Sequence, residues 1–213
     1  MKVPIVFLHG FLGTKRDWDP VISRLQEFEC IAIDLPGHGK TPFTKNFLLP
    51  DLPKMHLVGY SMGGRLAMQY AEKFEDRVAS LTILSAHTGL LSGKEERLAV
   101  DEKWAKKLLK SYDIFLDEWY EQPIFGGFKP DFNSRKQHDP KELAKAFLYY
   151  SLGNQELLEP KNVRFLVGEK DTKYRNLYPD AIVVPNAAHI VHLENPQFVA
   201  GVITDELESS RSI

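Results

Sequence analysis

A serine, an aspartate and a histidine with the potential for nucleophilic chemistry occur in a characteristic order along this 213-residue chain. The serine is Ser61, in the sequence G-Y-S-M-G at residues 59–63, where an apolar strand pattern gives way to a helical pattern. This setting is typical of a nucleophile elbow, a tight turn that lifts a serine hydroxyl above the carboxyl edge of a sheet. Because a serine alone is a weak nucleophile or base, it needs a histidine to accept its proton.

Asp171 and His189 supply the other two members, in the order Ser, Asp, His that accompanies such a turn. Asp171 follows the apolar run at residues 163–167, and His189 follows the apolar run at residues 181–184. Open parallel sheets place their sites at the carboxyl ends of strands. We therefore expect both side chains to meet Ser61 at one edge of a sheet. His192 is a competing histidine, which we expect near a helix start instead.

The sequence His9-Gly10-Phe11 follows the first apolar run and predicts the rest of the site. In elbow proteins, an N–H of this loop and the N–H of the residue after the serine bind a negatively charged oxygen. We therefore predict an oxyanion hole formed by the backbone amides of Phe11 and Met62. We expect the His9 side chain to pack its own loop.

The elements that must position these residues alternate along the chain. We predict strands at residues 3–8, 29–35, 55–58, 78–84, 163–167 and 181–184, and helices at residues 18–28, 62–74 and 196–207. Continuous Val/Ile/Leu runs joined by helices are typical of a parallel sheet covered on both faces. The pattern therefore predicts an α/β fold with a mostly parallel, doubly wound sheet, as one domain over residues 1–213.

Two segments depart from this alternation. Residues 36–53 hold four prolines and no convincing helix, so we expect an abbreviated crossover whose apolar side chains lie on the sheet. We expect these side chains to leave an apolar face that a second subunit could cover, so the protein would be a monomer or a homodimer; they are Phe43, Phe47, Leu48, Leu49 and Leu52. Residues 87–160 are charged, helical in pattern and rich in aromatics, which predicts a helical insertion capping the sheet.

Composition excludes several classes of protein. The 27 basic and 29 acidic residues leave a net charge of −2, without a basic stripe for nucleic acid. The apolar run at residues 5–8 is too short for a signal sequence or a membrane span. The single cysteine, Cys30, excludes an intrachain disulfide framework. With no metal-ligand spacing and no phosphate or dinucleotide motif, we expect a cytoplasmic protein without metal or cofactor.

Arg65 indicates the kind of substrate. It lies four residues after Ser61, one helical turn further and on the same face. Arginine forms bidentate pairs with carboxylates, so a guanidinium near the serine favours a small anionic substrate. The alternative is an arginine on an exposed helix face.

The longer motifs resemble the 2-succinyl-6-hydroxy-2,4-cyclohexadiene-1-carboxylate synthases of menaquinone biosynthesis, a family with the α/β-hydrolase fold. The likeness covers nearly the whole chain and is carried by residues 8–13, 18, 34–39, 59–65, 96–97, 119–125, 168–173 and 189–196. The segments around Arg97 and Trp119 are more specific to this family than the elbow, which all α/β-hydrolases share.

The resemblance implies a lyase that eliminates pyruvate from an open precursor with several carboxylates and forms the cyclohexadiene ring. By this likeness Ser61 would be the base, His189 its proton acceptor and Asp171 the residue that orients His189. It also implies three carboxylate-binding arginines and two residues that line the pocket, which are Arg65, Arg97, Arg135, Tyr60 and Trp119.

The sequence departs from the family in three places, and two other functions remain open. Ala188 stands where the family usually has glycine, the chain starts at the first predicted strand where the fold usually has a hairpin, and the crossover at residues 36–53 lacks its helix. The nearest alternative is a serine hydrolase acting on a carboxylate-bearing ester or on a C–C bond in a diketone. The other is a non-catalytic receptor for a small molecule.

Overall fold

A computed structural model describes residues 3–209; the ends of the predicted domain, residues 1–2 and 210–213, lie outside this range. The strands are β1 (Ile5–Leu8), β2 (Cys30–Ile33), β3 (Met55–Tyr60), β4 (Val78–Leu84), β5 (Val163–Gly168) and β6 (Ile182–Val184). The helices are α1 (Asp19–Ile22), α2 (Met62–Lys73), α3 (Lys94–Lys110), α4 (Tyr112–Tyr120), α5 (Phe132–Arg135), α6 (Pro140–Tyr149), α7 (Thr172–Leu177), α8 (Val191–Glu194) and α9 (Pro196–Ser209). Short 3-10 turns occupy Lys15–Trp18, Glu75–Arg77, Pro123–Phe125 and Leu152–Asn154.

The strands form one six-stranded sheet in the order β2-β1-β3-β4-β5-β6. Every neighbouring pair in this sheet is parallel, which confirms the predicted α/β sheet. The chain runs outward from β1 to β2 and then returns to the other side of β1 with β3. Such a reversal of strand order is where open α/β sheets form a crevice for ligands, and Ser61 follows β3 directly.

Both faces of the sheet are covered. Ile5 and Phe7 of β1 belong to one apolar cluster, and Val6 and Leu8 belong to the other, because successive side chains of a strand point to opposite faces. Helix α2 packs on the second face, and helix α9 packs on the first. A strand buried on both sides explains the continuous apolar run at residues 5–8.

The predicted helix over residues 18–28 is wrong. The structure has the 3-10 turn Lys15–Trp18, the four-residue helix α1 and then turns held by i+3 hydrogen bonds, such as the Leu25 N–H to the Ile22 carbonyl at 2.9 Å. The Ser23 hydroxyl donates to the Pro20 carbonyl, and such local bonds compete with a continuing helix. The apolar side chains that suggested the helix are still largely buried, but through tight turns.

The crossover from β2 to β3 contains no helix within the described residues, as predicted. Four of its five large apolar side chains pack on the second apolar cluster, which leaves Leu48, at 82% exposure, as the prominent exposed one. The apolar face is therefore smaller than expected. A monomer or a homodimer stays a prediction.

The helices α3–α6 lie between β4 and β5 and contribute aromatic side chains above the carboxyl edge of the sheet. Phe11, in the loop after β1, has ring centroids of this segment around it: Trp119 at 5.2 Å, Phe115 at 6.3 Å and Phe147 at 4.6 Å. Aromatic pairs at such distances add packing energy to the area that they bury. These contacts hold the inserted helices over the edge where Ser61 lies.

No helix within residues 3–209 is long and apolar enough to cross a membrane. The same residues contain no group of three or more histidine, cysteine or acidic side chains placed to hold a metal ion.

Candidate active site

Ser61 occupies a strained turn between β3 and α2. Its backbone φ of 50° and ψ of −112° lie in a region that side-chain-bearing residues rarely adopt. The turn is possible because its neighbours are glycines: a Cβ on Gly59 would lie 2.6 Å from the Gly63 carbonyl oxygen, and one on Gly63 would lie 2.3 Å from the His9 carbonyl oxygen. The sharp turn places the serine hydroxyl at the carboxyl edge of the sheet.

The structure brings Ser61, His189 and Asp171 together. His189 Nδ1 lies 2.7 Å from Asp171 Oδ2, and His189 Nε2 lies 3.3 Å from Ser61 Oγ. Asp171 and His189 are buried, and the Asp171 carboxylate also accepts the Tyr174 N–H at the start of α7. A carboxylate that accepts the Nδ1 proton leaves Nε2 ready to take a proton from the serine. The distance from Nε2 to Oγ is long for a hydrogen bond, and such bonds often tighten when substrate binds.

A residue that sequence analysis missed holds the loop of His189. The Glu194 carboxylate accepts the Ala188 N–H at 2.8 Å and the Ile190 N–H at 2.9 Å, one bond on each side of the histidine. Burial raises the pKa of Glu194. The only signal in the sequence was its place within the family-like segment at residues 189–196.

Ala188 does not strain this loop. The residue with a left-handed backbone is Asn186, with a φ of 62°, and Ala188 is not among the positive-φ residues of the described chain. Asparagine tolerates that conformation better than most residues. The departure from glycine at position 188 is therefore compatible with the turn that presents His189.

The backbone amides of Phe11 and Met62 are available to a ligand. Met62 is the first residue of α2, where N–H groups have no partner within the helix. Over residues 3–209, neither amide donates a hydrogen bond to the protein. The oxyanion hole stays a prediction that this arrangement permits.

Two small adjoining cavities share the Ser61 side chain, with volumes of about 160 and 80 Å³. The larger one is lined by His189 and by the predicted pocket residues Tyr60, Trp119, Arg97 and Arg135, and the smaller one by Arg65, Arg97 and Trp119.

Arg65 is largely buried and has no carboxylate partner. Its Nη1 donates to Gln155 Oε1 at 3.1 Å and its Nη2 to the Tyr150 carbonyl at 2.5 Å, both neutral acceptors. The described ion pairs do not include Arg65. Burial lowers the pKa of Arg65 to about 10, so the group is still a cation at neutral pH. The alternative of a solvated arginine on an exposed helix face is therefore wrong.

Arg97 is held in place by one edge of its guanidinium. Its Nε lies 2.9 Å from both carboxylate oxygens of the buried Asp101, which also accepts the Ser151 hydroxyl at 2.6 Å. In the described part of the chain, its two Nη groups have no bonded acceptor. Arg97 borders both cavities together with Ser61.

Arg135 differs from Arg65 and Arg97 because a protein carboxylate already pairs with both of its Nη groups. Nη1 and Nη2 each lie 2.8 Å from one oxygen of Asp17, and both side chains are buried. The pair joins α5 to the 3-10 turn after β1. Arg135 borders the larger cavity, so substrate binding by Arg135 stays a prediction. The two Nη groups that would bind a substrate carboxylate are, however, already bonded to Asp17.

Lys173 is a further cation that sequence analysis missed. It borders the larger cavity, and burial, followed by the Arg97 charge, lowers its pKa. Its position two residues after Asp171 was the available signal.

Two neighbouring histidines, His9 and His192, are fully buried in the fold. His9 Nε2 accepts the Leu35 N–H at 2.9 Å while Nδ1 donates to the Gly10 carbonyl, which fixes the loop as expected. His192 is buried in α8 with its ring 4.4 Å from that of Trp18.

A model of the alpha/beta hydrolase family matches residues 5–202. A relative in Serratia proteamaculans is 32% identical over 235 residues, with 95% of this chain and 92% of that protein covered. One in Citrobacter koseri is 33% identical over 236 residues, with 93% and 90% covered. Both are named 2-succinyl-6-hydroxy-2,4-cyclohexadiene-1-carboxylate synthase.

Solved structures agree with these relatives. MenH from S. aureus superposes with a TM-score of 0.80 at 25% identity, over 98% of this chain and 94% of that one. A thermophilic esterase from Thermogutta terrifontis, with malate bound, has a TM-score of 0.71 at 22% identity, over 99% and 91%, and shows the shared fold. The chain is thus an enzyme of the alpha/beta hydrolase family and belongs, within it, to the family of 2-succinyl-6-hydroxy-2,4-cyclohexadiene-1-carboxylate synthases.

Proposed function

We propose that this protein is a 2-succinyl-6-hydroxy-2,4-cyclohexadiene-1-carboxylate synthase of menaquinone biosynthesis, a cytoplasmic lyase that releases pyruvate from a precursor with several carboxylates. The observation that carries the proposal is the largely buried guanidinium of Arg65, which borders a cavity with Ser61 and has only neutral partners. A buried charge without a counter-charge is unfavourable. A substrate carboxylate would supply the missing counter-charge.

The substrate would be held by cations on two sides of the serine. Arg65 and Arg97 border the smaller cavity, and Arg97 and Lys173 border the larger one. Arginine binds carboxylates bidentately, whereas lysine acts as a point charge. A substrate with more than one carboxylate would satisfy several of these groups at once, and a neutral ester would satisfy none of them.

Ser61 would act as the base. In this reaction Oγ takes a proton from a substrate carbon, and the hydroxyl proton passes to His189 Nε2. Asp171, which accepts the Nδ1 proton of His189, stabilises the imidazolium that forms. The electron pair left at carbon shifts to form a new C=C bond while the C–O bond to the leaving group breaks. The departing pyruvate enolate takes the proton of the His189 imidazolium and becomes pyruvate, so no acyl group forms on the serine.

The amides of Phe11 and Met62 would stabilise the negative charge that the reaction places on a substrate oxygen. Preorganised N–H donors are worth far more to a developing charge than to a neutral ground state. Their lack of acceptors within residues 3–209 is consistent with this role.

Direct assay of pyruvate release from the precursor by the purified protein tests the proposal. We expect one pyruvate for each ring product and a kcat several orders of magnitude lower for Ser61→Ala, with substrate affinity largely intact. A precursor that the wild-type protein leaves unchanged, under conditions where it binds, would contradict the proposal.

A serine hydrolase is the second candidate, because a serine–histidine pair beside two unbonded amides also suits acyl transfer. Its substrate would be a carboxylate-bearing ester or a diketone. A trapped acyl group on Ser61 with such a substrate, and no pyruvate from the precursor, would favour it. Turnover of either kind would exclude the third possibility, a receptor for a small molecule.

A further inference from the structure

A second cleft lies on the other side of Arg65. It has a volume of about 400 Å³ and is open to solvent between α2 and the end of α6. This volume is within the range of small-molecule sites in proteins. None of the residues assigned to the reaction borders it except Arg65.

The charge of this outer cleft is of one sign. Its lining includes the cations Lys45, Arg65 and Lys73 and no aspartate or glutamate. The whole chain, by contrast, carries slightly more acidic than basic residues. A concave surface lined by one sign of charge concentrates ligands of the other sign.

The walls of the outer cleft are aromatic. Phe74 and Tyr149 are 36% and 41% exposed, so both rings are partly open to solvent. The ammonium of Lys73 lies 5.4 Å from the Phe74 ring centroid, and that of Lys45 lies 5.9 Å from the Tyr149 ring centroid. The rings offer a stacking surface with positive charge beside it. This combination matches a flat, apolar anion.

Arg65 belongs to the outer cleft and to the inner cavity. Its two hydrogen-bond partners, Gln155 and Tyr150, both line the outer cleft. Arg65, Tyr150 and Ser151 also line the inner cavity that contains Ser61. The guanidinium is therefore in the partition between the two, with no carboxylate bonded to it from either side.

We propose that the outer cleft is a second binding site, for a flat apolar carboxylate, and that its occupant weakens the binding of an anion beside Ser61. The coupling follows because both anions would be attracted to the same guanidinium, and a bond to one weakens its bond to the other. By linkage the effect is reciprocal. The existence of the second binding site is independent of the proposed function. The effect of its occupant on catalysis rests on the proposed function.

Titration calorimetry with 2-naphthoate tests the site directly, with 2-naphthalenemethanol as the neutral control. We expect 2-naphthoate to bind and the alcohol to bind at least tenfold more weakly. The double variant Lys45→Glu/Lys73→Glu reverses two charges at the rim and should weaken 2-naphthoate binding by about tenfold or more. The matched control, Lys103→Glu/Lys106→Glu, changes two exposed lysines of α3 and should leave the affinity within about twofold.

A further pair of variants separates the two cavities. Ser61→Ala and Trp119→Ala alter the inner site and should leave 2-naphthoate binding unchanged. The site is overturned if 2-naphthoate does not bind at millimolar concentration, or if it binds the rim variant normally and is lost in Trp119→Ala. These arms need no turnover, so they decide the site even if the protein has another activity.

The coupling is tested with the pathway precursor. We expect 2-naphthoate to raise the KM of the wild-type protein, and the rim variant to lose this effect while keeping its own KM within about twofold in the absence of 2-naphthoate. Unchanged KM in wild-type protein saturated with 2-naphthoate would contradict the coupling and leave the calorimetric result to decide the site.

Discussion

Arg65, which is partly buried, and Arg135, which is fully buried, are two guanidinium groups with opposite kinds of partner. Arg135 has both Nη groups on the Asp17 carboxylate, whereas Arg65 donates to an amide oxygen and a peptide carbonyl. A buried pair that is already neutral joins parts of the fold, and a buried cation without an anion is a site for one. The difference separates the region that holds the inserted helices from the region where we propose that the substrate binds.

The largest expected effect comes from Arg135→Met. Removing one member of a buried ion pair leaves Asp17 charged and unpaired, which should lower the free energy of unfolding by about 3–5 kcal/mol. The double variant Arg135→Met/Asp17→Leu removes both charges and should recover most of that loss. Chemical denaturation of the three proteins measures this. If Arg135→Met is as stable as the wild-type protein, the Arg135–Asp17 pair does not stabilise the fold. If Arg135→Met raises KM more than Arg65→Ala does, Arg135 and not Arg65 is the main substrate-binding arginine.

Arg65→Ala should have the opposite profile. We expect transition-state binding to fall by about 2–4 kcal/mol, seen as a lower kcat/KM, because the substrate loses a charged partner. Stability should change little, since no protein carboxylate is left unpaired. Arg24→Ala, at an exposed position, is the control for removal of an arginine. If neither kcat nor KM changes in Arg65→Ala, the group does not bind substrate.

Acidification should affect the region around Arg135 first. Burial lowers the pKa of His9 to about 4 and that of His192 to about 3, and the Arg135 charge acts in the same direction. The unfolded chain therefore binds protons from about pH 6.5 downward while the folded protein does not, so stability is complete above that pH and falls below it. From pH 6.5 to pH 5, which is 1.5 units at about 1.4 kcal/mol per unit, each of the two histidines should lower the free energy of unfolding by about 2 kcal/mol. Denaturation at pH 7.5, 6 and 5 measures it, and stability independent of pH would contradict the burial of neutral imidazoles.

Glu194→Gln should give the smallest effect. The amide keeps one acceptor oxygen for the two N–H groups beside His189, so we expect the activation free energy of kcat to rise by about 1–2 kcal/mol with KM little changed. Glu156→Gln, at an exposed acid outside the site, is the matched control. A stability loss with no change in kcat would give Glu194 a structural role only.

The meeting of Ser61, Asp171 and His189 could be predicted because it follows from local sequence patterns. The elbow at Ser61 is a short motif, and Asp171 and His189 each follow an apolar run, so parallel strands were enough to bring them to one edge. The expected helix over residues 18–28 failed since the same apolar spacing also suits successive tight turns, and the Ser23 hydroxyl bonds to the backbone there.

Ion pairs between residues far apart in the sequence could not be predicted from the sequence. Asp17 and Arg135 are 118 residues apart in the sequence. Their contact depends on how the inserted helices pack against the sheet. For the same reason the sequence placed Arg135 with Arg65 and could not distinguish their partners. Lys173 and Glu194 lay inside segments that had already been singled out, but nothing in residue type alone showed that one borders the cavity and the other holds the histidine loop.

We propose that Ser61 moves a proton on an anionic substrate and is never acylated. Intact-protein mass spectrometry during turnover of the precursor, with pyruvate measured in the same sample, tests it most directly. We expect pyruvate to accumulate in step with the ring product while the protein mass stays unmodified throughout. A covalent adduct on Ser61 without release of pyruvate would contradict it.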